Sequence, residues 1–173
     1  MAAEVMGDHV MWEESGQLEL RRRLSISDTS YFYDEPLIVP VTPGNYVVSA
    51  AYGETDGIRH VRCFRVMLCG VELRSRRPGL GEVIVDFGQV GICDRDAAEA
   101  AFESLGEHGM DDYHRQLDYT DLSKWVHLPG PTLMWSARPA YGDGVYPAYD
   151  LRDQNSKRIG VEVSFVQNQS RDR

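Results

Sequence analysis

Four aspartates stand beside turns or at the ends of alternating runs: Asp28, Asp86, Asp94 and Asp143. Carboxylates brought together bind a divalent cation or share acid–base work. Asp is also the ordinary residue of turns and caps, so these four do chemistry only where they converge. Aromatic side chains accompany them: Tyr31, Phe32 and Tyr33 in one stretch, then Trp135, Tyr141, Tyr146 and Tyr149. Three neighbouring aromatics cannot all face inward from one strand, because successive side chains alternate. Part of the 31–33 run is therefore expected at the surface, where Tyr and Trp anchor binding sites. These residues define a candidate pocket of Tyr31, Asp86, Trp135, Tyr141, Asp143 and Tyr146, with Arg22 as its cation. Arg22 joins the set because it falls on the apolar side of an alternating run. An inward guanidinium there needs an acid or an anionic ligand.

Charge is unevenly spread. Net charge is −9, which argues against a general nucleic-acid binder. Between Asp94 and Asp121 nine acids face two bases, a local charge of −7. Between Arg59 and Arg77 six arginines face one acid, a local charge of +5. The acidic stretch supplies a second candidate site, a face for a basic protein partner: Glu103, Glu107, Asp111, Asp112, Asp118 and Asp121. Such a face speeds encounter and sets orientation.

Other chemistries lack their residues. No Gly-x-Ser-x-Gly elbow, P-loop or Gly-x-Gly-x-x-Gly occurs. Asp86-Phe87-Gly88 spells a kinase triplet without the rest of a kinase. The five histidines form no helical ligand pair, and Cys63, Cys69 and Cys93 match no zinc spacing. No catalytic residue, metal or cofactor is assigned. Three unpaired-looking thiols, no basic leader and no long apolar run give the expectation of a reduced, cytoplasmic protein that does not enter membranes.

The elements that must position these groups are mostly strands. A single domain over residues 1–173 is expected, with short flexible ends. Alternation marks strands at 17–26, 37–41, 46–52, 58–69, 82–87, 90–93, 132–137, 145–151 and 159–165. Helices are expected from Asp96, capped by that residue, and from Asp111 to Lys124. The fold class is mainly β (α+β): an antiparallel β-sandwich or partly open barrel of eight or nine strands, with one or two inserted helices.

Four segments strengthen that expectation. They are Ser15-Gly16-Gln17-Leu18 leading to Ile26-Ser27-Asp28, Pro43-Gly44-Asn45-Tyr46-Val47-Val48, Val85-Asp86-Phe87-Gly88 followed by Asp94, and Tyr141-Gly142-Asp143-Gly144-Val145-Tyr146-Pro147. In this order the chain resembles an uncharacterised bacterial domain-of-unknown-function family of small, mostly-β proteins. Thr29 stands where relatives often carry a proline. The resemblance implies a fold and supplies no catalytic residue. Function is expected to be protein interaction, as in an immunity protein that inhibits a basic toxin. The alternative is a small-molecule or carbohydrate binder or hydrolase built on the aromatic and Asp pocket.

Overall fold

The computed structural model describes residues 11–117 and 120–166. It holds eleven strands in two antiparallel sheets, with two helices on the outside of one. In chain order these are β1 (Trp12–Leu20), β2 (Arg23–Asp28), β3 (Leu37–Pro40), β4 (Gly44–Thr55), β5 (Ile58–Leu68), β6 (Ser75–Val85) and β7 (Val90–Asp94). Helices α1 (Arg95–Glu103) and α2 (Gly106–Gln116) follow, then β8 (Ser123–His127), β9 (Leu133–Ala137), β10 (Gly144–Arg152) and β11 (Arg158–Ser164). The larger sheet runs β1-β4-β5-β11-β10-β6 and the smaller β3-β2-β7-β9-β8. This is a sandwich, one of the two forms the alternation predicts, and not a closed barrel.

Two differences from the sequence reading have simple causes. The run at 17–26 is two strands, because the chain bends at Arg21 and Arg22 and crosses between sheets. Leu18 and Leu20 face the core from one sheet, Leu24 and Ile26 from the other, so one alternation conceals the crossing. The second helix lies earlier than expected, ending at Gln116. Residues 123–127 instead pair with β9 as β8. The Gln116 side chain then clamps the β8 edge: its Nε2 donates to His127 O at 2.9 Å and its Oε1 accepts His127 N at 2.8 Å. That satisfies backbone groups an edge strand would otherwise leave open.

Two apolar layers hold the three tiers together. The main core lies between the sheets, where Phe64 touches both Trp135 and Phe165 at ring distances of 5.6 Å. Each such buried ring stabilises by roughly 1.5–3 kcal/mol relative to exposure. A second core lies between the smaller sheet and the helices, built on Phe32, Cys93, Phe102, Tyr113 and Met134. This is why β7 is buried along its whole length. The outer face of the larger sheet is only half covered, and Cys63, Arg65 and Met67 of β5 are intermediate there. Two of the three cysteines thus sit near the surface, and all three are free thiols.

Two tyrosines repeat one device. Tyr46 OH donates to Thr42 O at 2.7 Å as the chain enters β4; Tyr146 OH donates to Gly142 O at 2.8 Å as it enters β10. Each hydroxyl reaches back four residues and fixes the bend before its strand, as in the tyrosine corner of other sandwiches. No helix among the described residues is long and apolar enough to cross a membrane.

Candidate functional site

The connections gather at two ends of the sandwich. One end carries the segments 29–36, 86–89 and 138–143. Asp28 organises it. Buried at 4% exposure, its Oδ2 accepts the amides of Asp86 and Phe87 and its Oδ1 that of Ser30, each at 2.8 Å. A carboxylate committed to three amides ties two loops together and is not available as a general base.

The segment after Asp28 is pinned from below by Arg95. This arginine is 5% exposed and is the buried cation of the molecule's interior among the described residues. Its Nε donates to Glu99 Oε1 at 2.6 Å and its Nη1 to Phe32 O at 3.0 Å. Its guanidinium lies 4.3 Å from the Phe32 ring centre and 5.3 Å from that of Tyr33. Phe32 drops into the helical core, 4.5 Å from Phe102, and Tyr113 OH donates to Thr29 O at 2.6 Å.

With Phe32 inward, its neighbours must point out. Tyr31 is 38% and Tyr33 55% exposed. Tyr31 meets Phe87, itself half exposed, edge to face at 5.3 Å. An open hollow of about 330 Å³ lies beside them, lined by Asp28, Tyr31, Asp34, Glu35, Ile84 and Asp86. Glu103 lies close to Tyr33: partial burial first, then the Glu103 carboxylate, raise the Tyr33 phenol, and Arg95 partly offsets them. The result is a surface of projecting rings rimmed by carboxylates.

Several sequence candidates land here and others do not. Asp86 is exposed at this end, and Asp143 lies near it: Gly144 pairs with Val85, and a Cβ on Gly88 would lie 4.0 Å from Asp143 Oδ1. Tyr141 is exposed in the neighbouring loop. Trp135 and Tyr146, at 1% and 2% exposure, belong to the main core. Burial first, then Asp143, push the Tyr146 phenol up to about 12. Arg22 is exposed at the opposite end, on the bend between sheets, and is not inward. The pocket expected from sequence therefore does not close as a set. Asp94, not Asp96, caps α1: its Oδ1 accepts Ala97 N at 2.8 Å and its Oδ2 accepts Arg21 N at 2.7 Å. Asp96 instead pairs with Arg23, whose hydrogen bond holds its carboxyl below the usual range.

On the helical tier Glu103, Glu107, Asp111, Asp112 and Asp121 are all exposed. Asp112 pairs with Arg115 and Asp121 lies 3.8 Å from Lys124. Asp118 lies outside the described residues. No group of three His, Cys, Asp or Glu among the described residues is arranged to hold a metal. Arg95 was missed because a lone arginine beside a cap reads as surface charge. The signal was available in the 31–33 run, whose inward ring needs a floor. No family model, curated protein or solved structure matches the chain.

Proposed function

We propose that this protein is an acidic protein-interaction module whose partner presents a basic surface, in the manner of an immunity protein masking a basic toxin. The observation that carries the reading is the Arg95-pinned segment, which holds Tyr31 and Tyr33 out in solvent beside Glu103, Asp34 and Asp86. Rigid, exposed aromatic rings inside a charged rim have the composition of binding hot spots. The helical acids Glu107, Asp111 and Asp112 extend the same sign of charge and steer a cationic partner toward it. Its place of action on this reading is the cytoplasm.

The test uses purified basic proteins encoded beside this chain, with binding measured by interferometry over a range of salt. Tyr33→Ala is expected to weaken a true partner about 10-fold or more, mainly through faster dissociation. Charge reversal at Asp111 and Asp112 is expected to slow association and flatten its salt dependence. A partner that binds both variants like the parent protein would sink the reading.

A further inference from the structure

The opposite end of the sandwich has the opposite character. It collects the bend at Arg21 and Arg22, the segment 69–74 before β6, and the hairpin 153–157. A chain of contacts joins these parts. Arg22 O accepts Val41 N, Pro40 O accepts Arg158 Nη1, and Asp150 holds both Arg158 and Arg152. Arg152 also donates to Ser156 O, and Ser156 Oγ accepts from Arg77.

The acids at this end are largely spent on the fold. Asp150 sits between two guanidiniums, and Asp153 Oδ1 accepts the amides of Asn155 and Lys157. Glu19 and Glu72 remain exposed. Against them stand Arg21, Arg22, Arg74, Arg77 and Lys157, all exposed and without an ion pair among the described residues. Between Arg74 and Asp153 opens a hollow of about 620 Å³, its lining completed by Gly70, Val71, Glu72 and Gln154, so the cations stand around it rather than fill it.

We propose that this arginine end receives the acidic, aromatic end of a second copy of the chain, so that molecules join head to tail. The inference rests on reading the loop end as a surface for a basic protein face. The two surfaces lie at opposite ends of β2 and β6, 6 and 11 residues long, roughly 20–36 Å apart at ~3.3 Å per residue. That separation is at least twice the ~8 Å screening length at physiological salt, so each contact is governed mainly by the ends that meet. A second copy brings projecting rings as well as carboxylates to this end, and a polyphosphate has no ring to bury. Tyr31 and Phe87 would lose their exposure against the hollow. Two different patches form a heterologous contact, which adds molecules successively unless it closes a ring.

The experiment is sedimentation velocity on the full chain at about 150 mM salt, where screening acts over ~8 Å, and at about 500 mM, where it is stronger. Expected is an average mass above the 19.6 kDa monomer at the lower salt, rising with concentration and falling to monomer at the higher. Two variants assign the surfaces: Arg22→Glu with Arg77→Glu, and Asp34→Lys with Asp86→Lys. Each alone is expected to be monomeric, and mixing them is expected to restore association, which also shows that both are folded. A parent protein that stays monomeric at the lower salt overturns the proposal. So does association that survives either pair of reversals, or a mixture that stays monomeric. A monomer that still binds a basic neighbour-encoded protein removes this inference and leaves the proposed function standing. Self-association without any such partner does the reverse.

Discussion

Arg95 shows how much one side chain settles. It is buried, bonded to Glu99 and to a loop carbonyl, and stacked under two rings. Arg95→Met keeps the apolar stem but leaves Phe32 O without its donor. A loss of about 1.5–3 kcal/mol is expected, the usual range for a charge-assisted bond. Urea denaturation measures it, and hydrogen exchange at residues 29–36 should quicken in the same variant. A variant that lost stability while that segment kept its protection would refute the pinning role. The thiols give a second outcome at this scale. Burial drives the Cys93 thiol well above its ordinary value. Burial first, then Glu162, push that of Cys63 up to about 11. A thiol reagent at pH 8 is expected to label Cys93 only on unfolding and Cys63 slowly, since the thiolate is the reactive form.

At the scale of the elements, β11 lies close against β5 at one glycine. Gly160 faces Met67 across the β5–β11 pairing, and a Cβ placed on it would fall 2.1 Å from Val66 O and 2.9 Å from Met67 Cα. Backbone cannot swing aside as a side-chain tip can. Gly160→Ala is therefore expected to cost at least about 3 kcal/mol, the upper part of the overpacking range, in an equilibrium melt. An alanine variant as stable as the parent would show that the two strands separate readily. Most strands were legible because their inner faces alternate strictly, as in Val161, Val163 and Phe165. What escaped was set by distant partners. Nothing local in 17–26 marks the bend, since both halves feed one core. Ser123 and Lys124 read as the end of a helix, and only pairing with β9 makes 123–127 a strand. The site was half legible for the same reason: Tyr31, Asp86 and Asp143 lie near one another through register, while Trp135 and Tyr146 look identical in sequence and are core.

For the molecule as a whole, Asp150, a buried carboxylate, ties stability to acid. Burial alone would raise Asp150, but hydrogen bonds from Arg158 and Arg152 hold it below its ordinary value. A carboxyl lowered on folding stabilises fully above its unfolded value of ~3.9, and that contribution is lost as pH falls through the lower folded value. Asp96, lowered by Arg23, acts in the same direction. Urea stability measured downward from about pH 5 is expected to fall, and Asp150→Asn to fall less steeply from a lower start. An unchanged slope in that variant would remove Asp150 from the account. The paired tyrosine bends carry a consequence of a different kind. In the larger sheet β4–β5 and β10–β11 are hairpins, each led in by its own tyrosine, with β1 and β6 flanking them symmetrically. Each hairpin closes locally, but their seam joins Val66 to Val161, a little over half the chain apart. Loop-closure entropy makes that seam the slow step. Pulse-labelled amides should therefore gain protection within both hairpins before they gain it between β5 and β11, so the molecule is two quick halves waiting on one late join.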